Sequence, residues 1–303
     1  MSTPYFITAL CTPLDENEDL HVAGLERHVQ DQQDHDIDGL LVGGTMGAMQ
    51  LLKDSTYREL VQKSVEFNKG RAELMVGVGD TSLARTRDRI RMVEDLPIDA
   101  LVVVTPFCIK FRQPELVHYF ESLADLSPRP IYLYDLPQMT GSKVEVDTVL
   151  KLARHPNIHG IKCSDHLVTA RPLMDAGIEG FRVILAQPLL MDMLLHSGVR
   201  EHLDGVYGLV PHWMNQMKQA AINSDWATVE QVQRDLAALL KALIEFPAPL
   251  FASANELLRL RGVSGFCAPA PIRPLTPEQQ AAFSQVPIVQ KLIAESPSVL
   301  VTA

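Results

Sequence analysis

ALVVVTP, residues 100–106, is an unbroken apolar run closed by a threonine and a proline. It is too short for a buried helix and rich in β-branched residues. A run of that kind reads as a strand covered on both faces, as strands of parallel sheets are. Strict alternation would instead have marked a strand with one wet face. Working outward, similar runs recur along the chain: FITALCT (6–12), GLLVGG (39–44), ELMVGVG (73–79), PIYLYDLP (130–137), HGIKCSD (159–165), FRVILAQ (181–187) and DGVYGLV (204–210). With ALVVVTP these make eight.

Helical patterns fill the gaps. Val22, Leu25 and Val29 recur at three and four residues, as do Tyr57, Leu60, Val61 and Val65, and 114–126 and 146–155 read the same way. Eight strand–helix units predict an α/β fold, a closed (β/α)8 TIM barrel. An open doubly wound sheet is the alternative, but the glycine fingerprint expected after its first strand is missing. Beyond about residue 222 the strand signal stops. Residues 225–246 and 248–262 read as amphipathic helices, and Thr276-Pro277-Glu278-Gln279 has the spacing of a capping box. The division expected is a catalytic barrel over 1–222 and a helical extension over 223–303.

Composition sets outer limits. A hydrophobic fraction of 47% and a charged fraction of 21% fit an ordinary globular protein. The net charge of −10 argues against nucleic acid or an anionic membrane as partner. No apolar run approaches a membrane span, and the N-terminal residues lack the basic and apolar regions of a signal peptide, so a cytoplasmic protein is expected. Cys11, Cys108, Cys163 and Cys267 lie far apart without a CxxC pair, so reduced thiols and no metal are expected.

In such a barrel the reactive groups stand at the C-terminal ends of the strands. That focuses attention on Lys162, a lysine inside an otherwise buried segment. A long charged side chain is seldom buried without a partner or a task. Other strand ends carry Gly44-Thr45-Met46-Gly47, Thr105-Pro106-Phe107-Cys108, Tyr134-Asp135 and Gly205-Val206-Tyr207-Gly208. Each is weak alone. A glycine-rich turn is as readily a plain tight turn, a strand-end tyrosine often only caps the core, and a buried-segment lysine is more often snorkelling than nucleophilic. Together they form a set. An amine that attacks a ketone must be unprotonated, and burial lowers a lysine pKa from its usual value of about 10.4. The resulting imine is an electron sink that lets a neighbouring C–C bond break. The same chemistry needs an anion cradle, for which Gly44 and Thr45 suit, and a proton shuttle, for which Tyr134 suits.

These motifs, in this order, resemble the dihydrodipicolinate synthase / N-acetylneuraminate lyase family of class I Schiff-base aldolases. The resemblance runs from ALCTPLDENEDLH through GGTMGAMQLL, VVVTPF, YDLPQMTG and GIKCSD to LLRLRGV and RPLTPEQ. It implies that Lys162 forms the Schiff base, with no other cofactor. It further implies that Tyr134 shuttles protons, that Gly44 and Thr45 hold the pyruvate carboxylate, and that the chain assembles as a homotetramer, a dimer of dimers. The chain also departs from the family pattern. Met46 stands where the family has a second hydroxyl and Ala48 where it has an acid. Cys108 replaces the second tyrosine of the synthase proper, and Met139 replaces the arginine that grips an aldehyde's carboxylate. The expected site is therefore Lys162, Tyr134 and Thr45 as catalytic groups, with Gly44, Met46, Cys108, Met139 and Tyr207 around the substrate. Met49 and Phe107 would add to a second-substrate pocket of reduced polarity. The expected reaction is C–C cleavage or formation on pyruvate or a 2-oxo-3-deoxy acid. Dehydration of such an acid, a synthase with altered relay residues, and a non-catalytic 2-oxo acid binding barrel remain as alternatives.

Overall fold

A computed structural model describes residues 3–295, and the last residues of the expected extension, 296–303, lie outside it. Eight parallel strands close in sequence order into one barrel: β1 Tyr5–Ala9, β2 Gly39–Val42, β3 Glu73–Gly77, β4 Ala100–Val104, β5 Ile131–Asp135, β6 Ile158–Cys163, β7 Arg182–Leu185 and β8 Glu201–Asp204. Ile7, Met75, Val102, Tyr134, Ile184 and Leu203 fill the barrel, while Phe6, Leu40, Leu74, Val103 and Leu133 face the surrounding helices. That is why the strands read as unbroken apolar runs: both faces are dry.

The eighth strand corrects the sequence reading. It lies at Glu201–Asp204, ahead of the expected run, and Val206–Leu209 is a 3-10 turn. The strand was hidden because its residues are polar for local reasons. Glu201 pairs with Arg182 inside the barrel, and buried His202 packs its ring against Phe6 at 5.5 Å. Asp204 then accepts the Val206 N–H at 3.0 Å, which starts the turn.

β6 holds the feature that matters most for the site. Its pairing with β5 shifts between Ile131↔Ile158 and Tyr132↔Gly160, leaving His159 as a bulge. A one-residue insertion inverts the faces of everything after it. Ile158 and Ile161, three apart, both face the outer layer, so Gly160 and Lys162 turn inward. Gly160 has to be glycine there, because a Cβ would lie 2.6 Å from the Tyr132 ring and 2.5 Å from the Arg182 carbonyl oxygen.

After the last barrel helix, Pro211–Ile222, come the helices Trp226–Glu245, Leu250–Leu260, Pro277–Ser284 and Pro287–Glu295. The capping box forms as read: the Thr276 hydroxyl accepts the Gln279 N–H at 3.3 Å and the Gln279 side chain accepts the Thr276 N–H at 2.9 Å. The extension is tied to the barrel by the buried pair Arg261–Asp31, with nitrogen–oxygen distances of 2.8 and 3.0 Å. No described helix is long and apolar enough to cross a membrane.

Candidate active site

At the C-terminal mouth of the barrel lies a cavity of about 300 Å³ that contains Lys162. Residues 134 and 162 are directly paired in the β5–β6 ladder, and both side chains are 5% exposed. The ammonium nitrogen sits 3.9 Å from the centre of the Tyr134 ring. Among the described residues it makes no hydrogen bond and no ion pair. The amine therefore stands in the cavity with its nitrogen uncommitted to any protein hydrogen bond, as a nucleophile must be.

Thr45 and Met46 close one side of the cavity from the loop after β2. The loop is held by Thr12, whose hydroxyl donates to the Gly47 carbonyl at 2.7 Å. It turns sharply: Gly43 has φ +63° and Ala48 φ +53°. The backbone N–H groups of Gly44 and Thr45 find no protein acceptor among the described residues, which leaves two donors free for an anion. Met46 lies across the mouth against β8, where a Cβ on Gly205 would meet its Cγ at 2.7 Å.

Met139, largely exposed, lines the same cavity from the loop after β5. Three expected residues do not line it: Gly44 is buried in the turn beneath Thr45, and Cys108 and Tyr207 lie elsewhere. Cys108 is solvent-exposed on the β4 loop at φ +74°, a backbone reversal that sends Phe107 inward and the thiol outward. Tyr207 is fully buried in the outer layer, its ring 6.0 Å from Phe6, because the turn capped by Asp204 carries it away from the mouth. Met49, expected in the second-substrate pocket, is likewise buried in the outer layer. Cys163, next to Lys162, faces outward, and burial pushes its thiol up to about 12, which keeps it protonated and unreactive.

Other groups in the cavity were not read from the sequence. Asp204, at the true end of β8, is the only carboxylate lining it. Burial raises its carboxyl above the usual range, against the opposing pull of the Lys162 charge and of the Val206 and Gly205 N–H groups. Placing β8 correctly would have exposed this carboxylate at a strand end. The roof comes from the extension: Leu240, Leu243, Leu250 and Ala254 close over the mouth. Nothing local in those segments signals that role, since the contact spans the length of the chain.

A second ring of charge supports the walls. The Lys143 amine bridges Asp135 and Asp165, while the Val144 N–H donates to Asp135 at 3.0 Å. These two carboxylates follow Tyr134 and Lys162 closely in sequence, so the bridge locks the ends of β5 and β6 together. It uses Asp165 structurally and leaves Lys162 alone.

Comparison with known proteins agrees with this architecture. The dihydrodipicolinate synthetase family model matches residues 4–290. A 4-hydroxy-tetrahydrodipicolinate synthase from Ligilactobacillus salivarius is 31% identical over 249 residues, 81% of this chain and 85% of that protein. The protein of the same name from Exiguobacterium sibiricum is 28% identical over 282 residues, 92% and 94% of the two chains. Among solved structures, a dihydrodipicolinate synthase from Bacillus anthracis superposes with TM-score 0.85 at 21% identity, covering 97% of this chain and 98% of that one. A Ruminococcus gnavus sialic acid aldolase, a catalytic lysine mutant, does so with TM-score 0.89 at 13% identity, covering 98% and 97%. With a buried lysine above a tyrosine at its barrel mouth and residues 4–290 matched by the family model, the chain belongs to the dihydrodipicolinate synthetase family and is an enzyme, a lyase of the class I aldolase type.

Proposed function

We propose that the protein forms an imine between Lys162 and the ketone of pyruvate, or of a 2-oxo acid built from it, and makes or breaks the C–C bond next to that imine. The observation that carries this reading is the Lys162 amine itself: buried, without hydrogen bond or ion pair, and 3.9 Å above Tyr134 in an accessible cavity. A structural lysine in that position would be expected to have a partner.

The steps follow from the residues present. The free N–H groups of Gly44 and Thr45, with the Thr45 hydroxyl, receive the carboxylate and present C2 to the amine. Nitrogen attacks C2, and the ketone oxygen leaves as water after proton transfers through the Tyr134 hydroxyl. In the cleavage direction Asp204 takes the proton of the C4 hydroxyl, the C3–C4 bond breaks, and its electron pair moves into the iminium to give an enamine. The carbonyl compound departs, C3 is protonated, and water releases pyruvate. Synthesis runs the same steps in reverse, with Asp204 returning the proton. A carboxyl held above its usual range by burial suits that exchange.

The protein would act as a homotetramer inside the cytoplasm, without a separate cofactor. Exposed apolar side chains, among them Leu51, Ile109, Met139, Val168, Leu189 and Met193, support burial against further copies. Sedimentation velocity reads the assembly. The chemistry is tested by adding borohydride in the presence of pyruvate and mapping the adduct by mass spectrometry. A reduced pyruvyl group on the Lys162 peptide is the result expected. Unmodified protein with pyruvate and with longer 2-oxo acids would refute the reading.

A further inference from the structure

A second cavity, of about 220 Å³, adjoins the one that holds Lys162. The two share Thr45, Leu136 and Met139 as wall residues, and the largely exposed Met139 side chain is the one whose movement would let a molecule attached at the lysine reach the second cavity. Its walls are almost wholly apolar, built from Leu51, Val104, Phe107, Met139 and Phe251, with Thr45, Thr140 and Gln50 as the only polar side chains.

The charges around this space restrict what can fill it. Among the described residues Lys162 is the only cation lining either cavity, and it is consumed in the imine. The free N–H pair of Gly44 and Thr45 is taken by the 2-oxo acid carboxylate. A second carboxylate seated there would meet no cation, so it would enter desolvated and unpaired. A polyhydroxylated chain would lay several hydroxyls against leucine, valine, phenylalanine and methionine, with three polar side chains to answer them. A neutral apolar group loses nothing on entry. An apolar cavity of about 150 Å³ is known to admit benzene, so this one has room for a single ring.

We propose that the partner which joins or leaves the pyruvyl unit is a neutral aldehyde bearing an aromatic or branched aliphatic group, seated against Phe107, Met139 and Phe251. The inference rests on the Schiff-base reading above, and the experiment separates the two.

The protein is first trapped with pyruvate and borohydride, which fixes a stable pyruvyl group on Lys162. If no adduct forms, the imine reading fails, before any partner is tested, and the proposal fails with it. With adduct in hand, benzyl alcohol and succinate semialdehyde are titrated by calorimetry as neutral aromatic and carboxylated probes. Burying one ring predicts that benzyl alcohol binds at least about ten-fold more tightly. Met139→Arg is expected to erase or reverse that order, and Thr140→Val to preserve it. Equal or tighter binding of succinate semialdehyde to the wild-type adduct would overturn the proposal while leaving the imine intact. Absence of aromatic binding would do the same, including the case where a neighbouring copy fills the cavity in the assembly.

Discussion

The barrel carries a cation inside each of its ends, and the two are treated in opposite ways. At the N-terminal end Arg182 donates to Glu73 and Glu201, each at 2.7 Å, and to the Tyr132 hydroxyl at 3.2 Å. It also stacks between the rings of Tyr5 and Tyr132, 5.1 and 5.5 Å from their centres. At the C-terminal end Lys162 stands over a tyrosine ring and makes no hydrogen bond or ion pair among the described residues. The same ingredients, a cation and tyrosines in a dry barrel, give a saturated structural cluster below and an unsaturated amine above. The difference teaches that burial alone does not single out Lys162; burial without a hydrogen-bonding partner does, and that is what the proposed chemistry uses. Stability is forgone at the mouth and recovered at the floor.

The comparison breaks most sharply with Lys162→Met. Borohydride trapping and turnover should both vanish, a loss of at least about 10⁴-fold for an essential covalent nucleophile. Thermal stability should stay level or rise, because the substitution removes an unpaired buried amine. A marked fall in melting temperature would show that Lys162 is structural after all. Tyr134→Phe keeps the ring beneath the amine and deletes the hydroxyl. Turnover should fall by about 10²–10⁴-fold, the usual worth of a positioned proton shuttle, with melting temperature unchanged.

His202, on the outer face of β8, gives a pH test. Burial holds its imidazole down to about 4, so the fold prefers it neutral. Stability from that preference is complete above the unfolded value near 6.5 and is lost as pH falls toward 4. The stability difference between wild type and His202→Asn should therefore shrink by on the order of 3 kcal/mol across that window, measured by urea unfolding at successive pH values. A difference independent of pH would remove His202 from the account. Asp204→Asn should preserve the pyruvyl adduct but slow C–C cleavage by about 10²-fold, which single-turnover measurements can separate. The smallest effect belongs to the floor. Arg182→Met leaves Glu73 and Glu201 facing one another without their cation and should cost about 2 kcal/mol, less than a fully buried pair because the cluster is partly wet. Adduct formation at Lys162 should not change.

Several of these positions were legible without a structure. The apolar runs ending in Thr-Pro or Gly-Gly announced parallel strands, and Lys162 and Tyr134 stood out because polar groups at such ends are costly unless used. Cys108 and Tyr207 were misplaced for one shared reason. A strand reading says which residues follow a strand, but the direction of a side chain beyond the last ladder bond is set by loop dihedrals. A left-handed residue at Cys108 and the turn capped by Asp204 decided those two.

What the chain by itself determined is the alternation of units, the closed barrel they form and the presence of a lysine inside a buried strand, because strand and helix periodicities are local and burial penalties attach to residue types. The tertiary structure alone decided three things. The bulge at His159 turned Lys162 inward, a choice invisible in residue identity because it depends on how β6 pairs with β5. Asp204 came to share the lysine's cavity only once β8 took its register beside β1. Leu240, Leu243 and Leu250 came to line the same cavity as strand-end residues far earlier in the chain. Pairing register and long-range packing are properties of the whole fold, and no window of sequence contains them.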